Sequence, residues 1–340
     1  MTSAICGITG LLVLTLAGCG GGDDASTPAS SIGLAGAVDK TADFTSAVLK
    51  VAPYTEVSQD VSFISGTSTQ NNISFTGVSL WEVLQTAGVK TTDGTNTKNT
   101  VLEHYVLATA TDGYQSVFAL GELSPDFGGK QSLIAYAQKV NGTVTPLDDS
   151  TGGPFRITAT GDVRGARYVS NAIKLDVGVA PKTAAATKPG CSGATCVVPS
   201  FVVNGQVKAA PTFDVAALKA LVTSGTVQET TMTENNNTYK GVALLDLLNS
   251  PGVGLKVSSR KNPTISMYAV ATGSDGYRAI VSLGEINPDY GNKPAVVAYE
   301  QNGAALTTSG ALRLVIPKEN KQGRLISNLI EIQVFEAGTP

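Results

Sequence analysis

Residues 111–136 read TDGYQSVFALGELSPDFGGKQSLIAY, and residues 274–299 read SDGYRAIVSLGEINPDYGNKPAVVAY. The stretches align without a gap, placing Asp112 on Asp275, Glu122 on Glu285, Asp126 on Asp289 and Tyr136 on Tyr299. A period this long means two copies of a whole domain, not a stack of small units. In each stretch an Asp-Gly pair sits between alternating apolar runs, which is a strong hairpin signal.

The repeat extends outward on both sides. Gly36-Ala-Val38 answers Gly205-Gln-Val207, and Thr76-Gly-Val-Ser-Leu80 answers Lys240-Gly-Val-Ala-Leu244. Further on, Arg156-Ile157 answers Arg313-Leu314, and Gly165-Ala-Arg167 answers Gln322-Gly-Arg324. Each copy spans roughly 140 residues, an ordinary domain size able to bury a core. The expected domains are residues 35–179 and 200–337, joined by an Ala/Thr/Lys/Pro/Gly-rich linker over 180–199.

Each domain follows one plan. A strand holding Val38 or Val207 leads to a short helix capped by Thr45 or Asp214. A strand follows, around Val61–Ile64 and Thr226–Thr230. The second helix carries Leu80, Val83, Leu84 and Ala87, or Leu244, Leu245, Leu247 and Leu248, at helical spacing. Trp81 reads as a core filler on that stripe. Strands are then expected at 105–109, 116–119, 133–137, 155–159 and 173–177. The fold class is α+β, mainly β, in a tandem duplication.

The N-terminus reads as an export signal. Ala4 to Ala17 is apolar but too short to span a bilayer, which takes about 20 residues. It ends in Leu16-Ala17-Gly18-Cys19, which resembles the lipobox of bacterial lipoproteins, with residues 1–18 removed and Cys19 lipidated. Residues 19–34 then form a tether. Gly20 after the cysteine leans towards the periplasmic face of the outer membrane by the usual sorting pattern. A plain secretory signal cleaved elsewhere is the alternative.

The chain carries 24 Lys and Arg against 27 Asp and Glu, with no basic run. Nucleic acid is therefore not an expected partner. Cys191 and Cys196 stand in KPGCSGATCVVP, a segment able to close a small loop. In an oxidising compartment they are expected to form a disulfide. A metal site is disfavoured, because the sole histidine, His104, belongs to the other domain. His104 itself reads as a surface residue ahead of a strand.

The order of motifs resembles the oxidoreductase molybdopterin-binding domain family, the sulfite-oxidase-like fold. It runs Gly77-Val-Ser-Leu80, Asp112-Gly-Tyr114, Ile134-Ala-Tyr136, Asn141-Gly142, Gly152-Gly-Pro-Phe-Arg156 and Gly165-Ala-Arg167, with a second set from Gly241 to Arg324. The resemblance covers nearly all of both domains. It implies a cysteine thiolate holding molybdenum between the first helix and the G-V-x-L helix, and a lysine that meets the pterin phosphate. Neither is present: those stretches lack cysteine, and Ser170 and Ser327 stand at the lysine positions. A thiolate is a soft ligand that Ser, Thr or Asn does not replace. No cofactor is therefore expected, with molybdopterin as the alternative the family implies.

Tyr114 and Tyr277 fall on the family's active-site tyrosine, and Arg156, Arg167, Arg313 and Arg324 remain. An arginine fork holds an anion bidentately, and a phenol can donate one bond more. The opposing reading makes the tyrosines packed turn residues and lets the arginines tie off carboxylates such as Asp162 or Glu319. Glu122 with Asp126, and Glu285 with Asp289, read as turn and cap residues around Pro125 and Pro288. The resulting expectation is a lipid-anchored, non-catalytic module binding a small anion or an envelope protein. A molybdopterin oxidoreductase with non-cysteine ligation and a structural lipoprotein are the alternatives.

Overall fold

The computed structural model describes residues 31–90, 99–182, 196–307 and 310–338. Cys19 and Cys191 lie outside the described residues.

The first half comprises β1 (Ile32–Gly36), β2 (Ala42–Phe44), β3 (Glu56–Ser65), β4 (Ser68–Ser79), β5 (His104–Ala110), β6 (Gln115–Ala119), β7 (Leu133–Val140), β8 (Thr143–Pro146), β9 (Arg156–Ile157) and β10 (Ala172–Val179). The second comprises β11 (Ser200–Gly205), β12 (Thr212–Asp214), β13 (Glu229–Glu234), β14 (Asn237–Ala243), β15 (Met267–Gly273), β16 (Arg278–Ser282), β17 (Val296–Gln301), β18 (Ala304–Ala305), β19 (Arg313–Val315) and β20 (Leu329–Glu336). The two halves share one topology. One sheet runs β2-β1-β10-β5-β6, matched by β12-β11-β20-β15-β16. The other runs β3-β4-β7-β8 with β9 on β7, matched by β13-β14-β17-β18 with β19 on β17. With only short helices between the strands, the architecture is α+β and mainly β.

Local chemistry explains the elements. Helix α1 (Ser46–Leu49) starts where the Thr45 hydroxyl accepts from the Val48 amide. Helix α2 (Leu80–Ala87) buries Leu80, Val83, Leu84 and Ala87, its one apolar stripe. The glycine ahead of it is required by close approach. A Cβ on Gly77 would lie 2.2 Å from the Ile134 carbonyl oxygen, and one on Gly241 2.1 Å from that of Val297. Trp81 is partly buried and packs against the first core.

Several expectations need correction. β1 begins at Ile32, inside the segment read as tether, and Val38 follows it as an isolated bridge to Val89. The strand read over 155–159 is only Arg156–Ile157, and the one read over 226–230 begins at Glu229. His104 is fully buried, with Nδ1 2.8 Å from the Thr100 carbonyl oxygen and Nε2 2.8 Å from that of Lys90. Cys196 is buried beside Ser274 and is disulfide-bonded.

The halves meet along a seam that uses the same positions twice in opposite directions. Leu107, Val117 and Ala119 pack with Tyr268, Val270 and Ile280 in one apolar cluster. Tyr105 and Tyr268 have ring centroids 4.6 Å apart. The Val163 amide donates to the Tyr290 carbonyl at 2.8 Å, and the Asn320 amide to the Phe127 carbonyl at 3.0 Å. Arg164 pairs with Asp289 at 3.2 Å, and Lys321 with Asp126 at 2.8 Å.

Candidate functional site

Each hairpin delivers its tyrosine to the seam. In the first, Gly113 takes φ 80°, and the Asp112 carboxylate accepts from the Tyr114 amide at 2.9 Å. The Tyr114 hydroxyl then donates to the Ala166 carbonyl at 2.6 Å and accepts from Asn262 Nδ2 at 3.0 Å. Tyr277 repeats this, donating to the Gly323 carbonyl at 2.7 Å and accepting from Asn99 Nδ2 at 3.0 Å. Burial pushes both phenols above the ordinary tyrosine range, so they stay protonated. Each hydroxyl proton is already engaged by a carbonyl. The expected extra donor for a ligand is therefore not supplied by either tyrosine.

Arg167 and Arg324 are fully buried and turned into the protein. Arg167 donates to Glu122 at 2.6 and 3.1 Å and, through Nε, to Asp162 at 2.7 Å. Lys130 also joins Asp162. Arg324 donates to Glu285 at 2.8 Å and, through Nε, to Glu319 at 2.9 Å, and Lys293 also joins Glu319. For these two arginines the carboxylate-tying reading holds. Their neighbours across the seam are glycines: a Cβ on Gly284 would lie 2.5 Å from Arg167 Cδ, and one on Gly121 2.9 Å from Arg324 Cδ. Glu122 and Glu285 are thus buried ion-pair partners rather than turn residues. Asp126 and Asp289 are exposed and reach the other half.

Two clefts of about 420 Å³ each open at the seam. The first is lined by Tyr114, Arg156, Arg164, Tyr168 and Ser170 of the first half and by Lys261, Asn262 and Tyr290 of the second. The second is lined by Tyr277, Lys321, Gly323 and Ser327 with Asn99 and Phe127 of the first half. Among the described residues, the first cleft sets Arg156, Arg164 and Lys261 against Asp112, whereas the second sets Lys321 against Asp275.

Arg156 and Arg313 are sequence equivalents in different circumstances. Arg313 donates to Ser327 Oγ at 2.8 Å and to Tyr239 Oη at 3.4 Å. Arg156 lies over the ring of Phe75, the counterpart of Tyr239, at 5.1 Å. Its Nη1 has only a long 3.5 Å contact to the Thr151 carbonyl, and its buried Nε makes no hydrogen bond, as is also true of the Arg313 Nε. Burial holds this guanidinium below the ordinary arginine range, yet arginine remains charged. The Ser170 hydroxyl is a near neighbour: a Cβ on Gly152 would lie 2.8 Å from Ser170 Oγ and 3.4 Å from the Arg156 guanidinium carbon.

The sequence reading missed Asn99, Asn262, Lys261, Arg164 and Tyr290. One signal was available, because Asn99-Thr-Val and Asn262-Pro-Thr occupy equivalent places before matching strands. Both asparagines adopt the left-handed backbone, φ 56° and 52°, which Asn tolerates better than most residues.

The residues present do not fit the molybdenum pterin that the motif resemblance implies. The first cleft offers guanidinium, ammonium, hydroxyl and one carboxylate, with no thiol or imidazole. No group of three or more His, Cys, Asp or Glu suited to a metal occurs among the described residues.

No protein-family model matches the sequence, and no curated protein matches it. Among solved structures the chain is similar to the sulfane dehydrogenase SoxCD from Paracoccus pantotrophus. The identity is 12%, the TM-score 0.32, and the match covers 88% of this chain and 77% of that one.

Proposed function

We propose that the protein is a non-catalytic binding module of the cell envelope, built from two degenerate sulfite-oxidase-like domains, that holds a small anion in its first cleft. The observation that carries this reading is Arg156: a charged guanidinium that lines the first cleft without an ion pair among the described residues, whereas its equivalent Arg313 lines neither cleft and donates to Ser327. An anion accepting from the terminal nitrogens of Arg156 gains a charge-assisted bond, about twice as strong as a neutral one. In this proposal Cys19 carries the lipid and anchors the module to the membrane.

The test is a thermal unfolding titration with sodium sulfate at constant ionic strength. Binding to the folded state alone raises the midpoint with ligand concentration. Arg156→Met removes the charge-assisted bond, worth roughly 1.5–3 kcal/mol, so the affinity falls about ten- to a hundredfold. A sulfate-independent midpoint in the wild type rejects the binding reading and favours a structural envelope lipoprotein.

A further inference from the structure

The first cleft is larger than a simple oxyanion. A water occupies about 30 Å³ of liquid, so 420 Å³ exceeds what one sulfate or phosphate fills several times over. Beside it lies a second cavity of about 230 Å³ that shares Asp112, Tyr114 and Lys261 with the first. Lys261 therefore stands where the two spaces join, on the second half's side of the seam. It directly precedes Asn262, whose amide is fixed on the Tyr114 hydroxyl at 3.0 Å. Among the described residues Lys261 makes no ion pair, and its side chain is exposed. The cleft thus presents two cations that form no ion pair among the described residues, Arg156 in its wall and Lys261 at its rim, one from each half, with the Asp112 carboxylate bordering the same space.

We propose that the ligand is an anion with two separated anionic groups, one held by Arg156 beside Ser170, the other by Lys261 across the seam. This rests on the reading of the first cleft as an anion site and adds the class of ligand. A dicarboxylate and a diphosphate share that chemistry. The tyrosine side chains of Tyr168 and Tyr290 on the cleft wall suit a connecting body between the two charges. By bridging, such a ligand adds to the contacts that already tie the two halves at this face, among them Arg164–Asp289, Asn262–Tyr114 and the Val163–Tyr290 backbone bond.

The experiment is a calorimetric titration of the whole exported protein with sulfate, succinate and pyrophosphate. Sulfate and succinate carry the same charge near neutral pH, so they differ in having one anionic group or two. The expected result is that succinate, pyrophosphate or both bind at least about tenfold tighter than sulfate. Lys261→Gln, an exposed substitution, brings the two-headed ligands down to the affinity of sulfate measured on the same variant. Arg156→Met weakens every anion. A preference for succinate assigns the ligand to dicarboxylates, and a preference for pyrophosphate assigns it to diphosphates. Two-headed anions binding no tighter than sulfate, or a Lys261→Gln variant that keeps the preference, overturns the proposal while leaving the anion site standing. Absence of binding by all three anions overturns both.

Discussion

Asn262 of the second half donates from Nδ2 to the hydroxyl of Tyr114 in the first, at 3.0 Å. Asn99 returns the bond to Tyr277 at the same distance. These reciprocal bonds close both phenols into the seam, and the ligand chemistry falls to the cations beside them. Tyr114→Phe should therefore cost about 1 kcal/mol of stability, one neutral hydrogen bond lost, and leave sulfate affinity within about twofold. Chemical denaturation and calorimetry on the same variant check both halves of that statement.

Arg167 is the centre of a buried charge cluster, and removing it strands Glu122 and Asp162. Breaking a buried pair by deleting one partner costs about 3–5 kcal/mol. Arg167→Met and Arg324→Met should each lower stability by that order. The cost should be the same with and without sulfate, since neither arginine lines a cleft. A sulfate-dependent loss in Arg167→Met would return this arginine to the binding site.

Stability should fall in acid through these carboxylates. Burial alone pushes the Asp162 carboxyl up, but Arg167 and Lys130 outweigh it and hold it below the ordinary range. Glu285 is lowered likewise, burial being outweighed by Arg324 and Lys293. An unfolded aspartate titrates near 3.9. The Asp162 contribution is thus complete above about pH 4 and disappears as pH falls through the lower folded value. Glu122 is the opposing member: burial, with the charge of Glu285 adding to it, raises it despite Arg167. Its contribution is largest below its unfolded value and fades as pH rises through the folded one. Asp162→Asn should be less stable at pH 7 and should show a shallower loss below pH 4. Denaturation midpoints between pH 2 and 7 report both, and an unchanged acid limb contradicts the assignment.

Phe75 and Tyr239 are one difference between the surroundings of the two arginines, beside the 2.8 Å bond from Arg313 to Ser327. The hydroxyl of Tyr239 reaches Arg313 at 3.4 Å, and Phe75 offers Arg156 only a ring face. Phe75→Tyr should engage the Arg156 guanidinium and weaken sulfate binding severalfold, up to about tenfold, the worth of one hydrogen bond. Calorimetry reads this directly, with far-ultraviolet circular dichroism confirming an intact fold.

Much of the fold was legible because its signals are local. Thr45 and Asp214 mark helix starts through their own oxygens, and both accept the expected amide bonds. The Asp-Gly pairs mark hairpins, and the α2 stripe shows its spacing. The site was less legible because its decisive facts are long-range. Glu122 and Arg167 meet across the chain, and nothing near Glu122 distinguishes a turn carboxylate from a buried one. Both residues are nevertheless kept in the two copies, as Glu285 and Arg324, and that joint retention was the readable trace of the pairing. His104 failed for the same reason: the carbonyls of Thr100 and Lys90 that accommodate it are positioned by packing, not by sequence pattern.

The most direct test of the anion site is to locate the anion. Crystals grown with dilute selenate, measured at the selenium edge, show where it binds. An anomalous peak is expected in the first cleft, with a selenate oxygen about 2.7–3.2 Å from a terminal Nη of Arg156 and Ser170 Oγ beside it, and no peak against Arg313. A first cleft without selenate while the ion occupies the second, or sits only on surface lysines, would contradict it.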